Sequence, residues 1–470
     1  MAGSLRIAKY ITLSALAVIP ALASGCSCDG SSDDLVGGSG AAGNAGPGSG
    51  GAGAAGGSSG PFMGAGGNGA CQNLECQQVA CSGGITTTVS GKVYEPGGTI
   101  PLYNVVVYVP NAPLDPIPEG ASCDQCGAQI TGDPVVSTIT DPSGSFVLEN
   151  VPVGTNIPLV VQVGKWRREF VLPAVAECVD TPVDDTTIRL PKNKAEGHIP
   201  KIALSTGGAD PLECLLPKIG LDLAEFTNPD GDGRINLFEG EGGASRYAGG
   251  SDFPNAQALW ASTDSLSVYD IVLMACEGGT NPNTKPQSSL DAMLEYTSIG
   301  GRVFASHWHN YWVEEGPAPF PTVATFNHQD DLANPFTALI DTSFPKGLAF
   351  SEWLVNVGAS TVPDELVITE AQHTIDAVNP AVSTRWVYGE DPTSVQYLTF
   401  NTPIGVAEEE QCGRLVLSDI HVSSGDDIGE DFPDGCNSTT LSPQEKALLF
   451  MLFDLSACII PDDDPPVPPQ

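Results

Sequence analysis

The apolar pattern of this chain changes near His198, and that change limits what it can fold into. From about Thr86 to Leu190, short β-type runs are separated by turn chemistry, and no useful stretch has a 3.6-residue apolar period. The run Val105 to Val109 is rich in β-branched residues, and Asp141-Pro-Ser-Gly144 has the composition of a tight turn ahead of Phe146-Val-Leu148. An all-β sandwich is the natural expectation. From His198 onward, apolar strands alternate with amphipathic stretches. Ile199 to Thr206 precedes Leu212 to Phe226, Tyr269 to Ala275 precedes Ser289 to Ser298, and Arg302 to Ser306 and Arg414 to Ile420 are further strands. That alternation predicts a doubly wound, flavodoxin-like parallel sheet, whose ligand crevice lies beyond the carboxyl ends of its strands. Ser442 and Glu445 have capping-box spacing around Pro443, so a helix is expected from there to about Ser456.

Residues 37 to 70 contain 16 glycines among 34 positions, a composition that cannot bury enough apolar surface to order itself. With 57 acidic against 19 basic residues, the net charge of -38 argues against nucleic-acid binding through a basic surface. The N-terminus has the three-part pattern of an export signal: Arg6 and Lys9, an apolar run from Tyr10 to Leu22, then small residues before Cys26. It resembles the signal peptide and lipobox of bacterial lipoproteins. That resemblance implies cleavage after Gly25, acylation of Cys26 and attachment to a membrane of the cell envelope. The alternative is an ordinary secretory signal.

The expected organisation is therefore a signal at 1–25, a disordered tether at 26–70, a β-sandwich at 71–195, an α/β domain at 196–460 and a solvated acidic, proline-rich tail at 461–470. Thirteen cysteines fit an oxidising compartment, with disulfides the default. Apart from Cys26 and Cys28, six lie in the first folded region and five in the second, so parity leaves one thiol unpaired, with Cys276 a candidate. Cys123 and Cys126 also have the spacing of half a zinc site, which Cys71, Cys76 and Cys81 could complete.

Two further resemblances rest on quoted segments. Ser90-Gly91-Lys92-Val93, Pro101-Leu102, Thr140-Asp141-Pro-Ser-Gly144-Ser-Phe146 and Val151-Pro152-Val-Gly154 resemble the carboxypeptidase regulatory-like domain, a transthyretin-like sandwich with an accessory role. Residues 111–135 are an insert relative to that family. Tyr269-Asp270-Ile-Val-Leu, Gly300-Gly301-Arg-Val-Phe-Ala-Ser-His307 and Gly413-Arg414-Leu-Val-Leu-Ser-Asp-Ile-His421 resemble the class I glutamine amidotransferase-like superfamily, in its trehalose-utilisation-type branch. That resemblance places His307 where true amidotransferases carry a catalytic cysteine, so glutaminase chemistry is not implied. Residues 313–361 have no counterpart in it.

The strand-end rule selects Cys276, His307, His309, Asp419 and His421 as candidate site residues. Cys276 lies in a partial nucleophile-elbow pattern, and the alternative for it is a buried structural thiol. His307, His309 and His421 could bind a transition metal, or serve as packing residues. Separately, Asn228, Asp230, Asp232, Arg234 (by its carbonyl) and Glu239 have the ligand spacing of a calcium loop, with an Asx/Gly turn as the alternative. The expected function is a non-catalytic envelope lipoprotein whose α/β domain binds a ligand, an envelope protein or a polysaccharide. The alternative is an exported hydrolase acting on a carbohydrate or peptide-like substrate.

Overall fold

The computed structural model describes residues 71–468, apart from 124–125, 127–129, 185–186, 330 and 423–424. The signal, the Cys26 acylation site and the glycine-rich tether lie outside the described residues. In the first region, β1 (Thr88–Lys92), β4 (Ser145–Glu149) and β7 (Asp180–Pro182) form one sheet in the order β4-β1-β7. A second sheet has the order β3-β2-β5-β6 and is built from β2 (Val106–Pro110), β3 (Pro134–Ile139), β5 (Gly154–Val163) and β6 (Trp166–Val175). Along β4, Phe146 and Leu148 are buried while Val147 and Glu149 are exposed, the two-residue period of a half-buried strand. The turn into β4 closes with the Gly144 N–H donating to the Asp141 carbonyl, and its φ of 74° is one that glycine adopts without strain.

The second region is built on a ten-stranded sheet. Its parallel part runs in the order β9 (Phe226–Thr227), β10 (Ile235–Phe238), β8 (Ile202–Ser205), β11 (Ile271–Met274), β12 (Arg302–Ser306) and β19 (Gly413–Ser418). The chain goes from β8 to one side and then to the other, so the winding direction reverses beside β8. The rest of the sheet departs from the expected parallel arrangement. The strands β18 (Thr393–Thr402), β17 (Thr384–Glu390), β14 (Phe336–Ile340) and β15 (Glu365–Ile368) extend it antiparallel from β19. β17 and β18 are separated by only Asp391 and Pro392, and a parallel crossover needs a dozen or more residues. A small pair, β13 (Ala324–Phe326) with β16 (Ile375–Val378), lies apart.

The parallel strands are buried on both faces and split their residues by alternation. Ile202, Leu204, Ile271, Leu273, Phe304 and Val416 enter one core with the helix Pro443–Ser456, while Ala203, Val272, Met274, Val303 and Leu415 enter another with the helix Gln287–Ser298. The helix Pro443–Ser456 begins at a formed capping box: Ser442 Oγ accepts from the Glu445 N–H at 3.3 Å, and Glu445 Oε2 accepts from the Ser442 N–H at 2.7 Å. It is apolar on nearly all sides because it is wedged between sheet and sandwich, with Phe453 against Trp166 and Phe450 stacked on Tyr103, both at 5.7 Å.

The sandwich and the α/β region share that first core and belong to one compact unit. Gly164, in the turn between β5 and β6, lies so close to the end of this helix that a Cβ there would stand 1.8 Å from the Ser456 carbonyl oxygen. Two disulfides, Cys123–Cys412 and Cys126–Cys458, tie the insert to the second region. Cys71–Cys76 and Cys81–Cys178 stay within the first region and Cys214–Cys436 within the second. The half zinc site at Cys123 and Cys126 is thereby excluded, because both sulfurs are bonded. These disulfides indicate an oxidising, extracytoplasmic environment. No helix among the described residues is long and apolar enough to cross a membrane.

The two crossing bonds close nearly the same loop, with sequence separations of 289 and 332. Removing both, as Cys→Ala pairs, is expected to lower unfolding free energy by about 4 to 5 kcal/mol, toward the top of the usual range because the loops are long, and removing either alone by clearly less. Denaturant midpoints of the three variants measure this.

The tail also differs from expectation. Asp462 is buried, and its carboxylate accepts from Arg414 at 2.6 Å, Thr399 at 2.7 Å and Lys346 at 3.3 Å. A solvated tail was expected because the segment is rich in Asp and Pro, but two buried cations hold this one aspartate.

Candidate functional site

The carboxyl ends of β8, β11, β12 and β19 lie in one row, because the strands pair in register: Met274 lies opposite Ser205 and Ala305, and Ser306 opposite Ser418. Just beyond these ends stand Asp210, Cys276, His307 and His421. His307 has a φ of 41°, in the left-handed region that a non-glycine residue rarely occupies, so the chain turns sharply out of β12 at this point.

Nδ1 of His307 is 3.5 Å from Cys276 Sγ and 3.2 Å from His421 Nε2. The three donor atoms all lie within 4.8 Å of one another. The cluster is buried, with exposures of 0% at Cys276, 5% at His307 and 7% at His421. Trp308 is half-buried beside it, its ring 4.7 Å from that of His307 and 5.1 Å from that of His328.

Asp210 connects the segments that carry these groups. Its carboxylate accepts from Ser306 Oγ at 2.7 Å, next to His307, and from the Val422 N–H at 3.1 Å, next to His421. It also accepts a backbone hydrogen bond from Cys276. Burial holds the Asp210 carboxyl above its ordinary range, opposed by the nearby His421 and by these hydrogen bonds.

Burial pushes the Cys276 thiol up to about 12, against the pull of the Trp308 and Gly278 N–H groups and with the carboxylates of Asp210 and Asp419 adding to the rise. Burial, followed by the charges of neighbouring imidazoles, brings His307 down to about 3. At neutral pH the centre therefore holds a neutral thiol beside a neutral imidazole, which is not the state of an activated cysteine nucleophile.

Cys276 is the free cysteine among the described residues. Mass mapping of unreduced protein is expected to find it unalkylated in the native state and modified by iodoacetamide after unfolding.

His309, two residues after His307, does not join the cluster. Its Nδ1 accepts from Trp312 Nε1 at 3.0 Å, its ring packs on Trp260, and burial lowers it to about 4. Asp419 is committed elsewhere, accepting from the Thr374 N–H and hydroxyl at 2.7 Å each, and burial raises it to about 6. It braces the strand end from which His421 emerges.

Among the described residues, Asp230, Asp232 and Glu239 do not come together as a carboxylate cluster. Asp232 pairs with Lys194 at 2.6 Å, Asp230 is exposed, and the Arg234 carbonyl accepts from the Ile202 N–H. Asn228 donates to Ser251 and to the Asp252 carbonyl, and Glu239 lies beyond the far end of β10, where its backbone pairs with Pro254 and Ala256. Because β10 runs straight through the second half of the loop, Glu239 is carried away from the turn. Melting is expected to be the same in chelator and in about 5 to 10 mM calcium, well above the affinity of extracellular calcium modules; a calcium-dependent rise would contradict this.

Asp210, Ser306 and Trp308 belong to the site without having been singled out from sequence. The strand-end rule applied to β8 would have found Asp210, which follows Gly207-Gly208 just past that strand.

No family model and no curated protein matches the sequence. Among solved structures, a cytoplasmic protein from Salmonella typhimurium is 13% identical over 55% of this chain and 98% of its own, with a TM-score of 0.29. A ThuA-like protein from Bacteroides uniformis is 12% identical over 53% of this chain and 88% of its own, with a TM-score of 0.24. A chain of a type II cohesin–X-dockerin complex from Acetivibrio cellulolyticus is 18% identical over 32% of this chain and 79% of its own, with a TM-score of 0.16. At such scores these likenesses carry no argument about what the chain does.

Proposed function

We propose that this chain is an exported envelope lipoprotein, anchored through acylated Cys26, whose α/β region binds a carbohydrate or peptide-like ligand at its strand ends without using a cysteine nucleophile. The carboxypeptidase regulatory-like and amidotransferase-like resemblances belong to the same reading, the sandwich acting as an accessory domain. The observation that carries it is the half-buried Trp308, packed against His307 of a buried polar cluster at the strand ends, where doubly wound sheets bind ligands. The part of the indole left exposed offers apolar area at low entropic cost. Burial, which raises the Cys276 thiol, weighs against the hydrolase alternative in its thiolate-nucleophile form.

Intrinsic tryptophan fluorescence of the full chain, titrated with trehalose, chitobiose and a Gly-Ala peptide, tests this reading. A saturable response to one of these probes is expected, falling at least tenfold in affinity in Trp308→Ala. No response to any probe, or a response unchanged in Trp308→Ala, would overturn it.

A further inference from the structure

We propose that Cys276, His307 and His421 form a three-ligand site for a thiophilic divalent cation of the zinc type. This deepens the reading of the strand ends as the functional site, and rests on it.

The argument is geometric. Bonds of about 2.3 Å to sulfur and about 2.05 Å to imidazole nitrogen at tetrahedral angles separate an S···N pair by about 3.6 Å and an N···N pair by about 3.3 Å. The protein holds Cys276 Sγ and His307 Nδ1 at 3.5 Å, and His307 Nδ1 and His421 Nε2 at 3.2 Å. Hydrogen bonding alone explains the arrangement less well. An imidazole nitrogen carries either one lone pair or one hydrogen, so His307 Nδ1 cannot make a good hydrogen bond to both neighbours. One cation set among the three donor atoms, all within 4.8 Å of one another, would meet all of them.

The surroundings suit the same occupant. The Gly278 N–H points at Cys276 Sγ from 3.5 Å, a contact that supports a sulfur bearing negative charge. Asp210 fixes the backbone or side chain beside each ligand through Cys276, Ser306 and Val422, making it a positioning residue. Thiolate with imidazole selects a borderline-soft ion such as Zn²⁺ over Ca²⁺ or Mg²⁺. On binding, the sulfur–hydrogen bond breaks, its electron pair forms the sulfur–metal bond, and the proton passes to solvent. Three protein ligands leave the fourth coordination position to water or to a ligand atom. His309 lies outside the set, although sequence spacing groups it with His307.

Cobalt(II) added to the metal-free full chain tests the proposal. One equivalent is expected to bind with a thiolate-to-cobalt charge-transfer band in the near ultraviolet. Cys276→Ser should abolish the band, and His421→Ala should weaken zinc at least a hundredfold in competition with a chelator. Asp210→Asn should weaken zinc by about 10- to 100-fold while keeping the band, and His309→Gln should change neither reading. Circular dichroism confirms that each variant is folded; if His421→Ala is not, His421→Gln replaces it. No stoichiometric cobalt binding by folded wild-type protein, or a band that survives in Cys276→Ser, overturns the metal site. A Trp308-dependent response to a saccharide or peptide probe without cobalt binding would sink the metal and leave the ligand-binding reading standing.

Discussion

Replacing Asp462 with Ala is expected to lower unfolding free energy by about 3 to 5 kcal/mol at neutral pH, the usual cost of breaking a buried ion pair from one side. In the folded protein Asp454 and Asp462 together neutralise Arg414 and Lys346, and all four side chains are at most 5% exposed. Without Asp462, two buried cations face a single carboxylate. Burial alone would raise the Asp462 carboxyl, but Arg414, Lys346 and the Thr399 hydroxyl outweigh it and hold the group well below the ordinary carboxylate range. A depressed carboxylate stabilises above its unfolded pKa, about 3.9 for Asp, and that contribution fades as pH falls through the folded value. The difference between wild type and Asp462→Ala should therefore be flat from pH 5 to 8 and shrink below about pH 4. The exposed neighbour gives the control: Asp463→Ala should change stability by less than about 0.5 kcal/mol.

The second large effect is expected where sandwich and α/β region meet, and its pH dependence runs the other way. Lys165 of the sandwich donates to Asp270 at 2.7 Å and to the Gly120 carbonyl at 2.6 Å, and Asp270 also accepts from the Lys201 N–H at 2.6 Å. Burial raises the Asp270 carboxyl above its usual range, and Lys165 is the largest influence opposing that rise. Lys165→Met removes it and leaves a carboxylate that is 4% exposed facing a thioether. A loss of about 3 to 5 kcal/mol is expected at pH 7. A carboxyl raised in the folded state favours folding below its unfolded pKa and loses that advantage as pH rises through the folded value. The variant should thus approach wild type near pH 4 and fall furthest behind at pH 8, as followed by urea unfolding across that range. Since the two regions share a core, both should unfold in one transition in wild type.

The sequence carried the strands that end at the site because they are short, apolar and followed by turn residues: Arg302 to Ser306 is a strand with those bounds, and the Ser442/Glu445 box starts its helix where spacing placed it. It carried the meeting of Cys276, His307 and His421 only in combination with the rule that parallel strands deliver their ends to one edge. The rotation of His309 away from that edge was not legible, since it depends on the left-handed turn at His307 and on the Trp260 and Trp312 rings that receive the imidazole. Disulfide parity pointed to Cys276 but could not show that Cys123 and Cys126 cross to Cys412 and Cys458. The antiparallel part of the sheet stayed hidden because nothing in runs such as Phe336–Ile340 or Thr393–Thr402 specifies the direction in which a strand pairs. Asp462 sits among prolines and aspartates whose composition speaks for solvent, and only Arg414 and Lys346, far away in sequence, draw it inward.

X-ray absorption at the zinc edge of the stoichiometrically loaded full chain most directly tests whether the strand ends form a Cys-His-His centre. One sulfur at about 2.3 Å and two imidazole nitrogens at about 2.0 to 2.1 Å, with a single light-atom ligand completing four-coordination, is the predicted shell. A shell of nitrogen and oxygen alone, or one whose sulfur remains in Cys276→Ser, would contradict it.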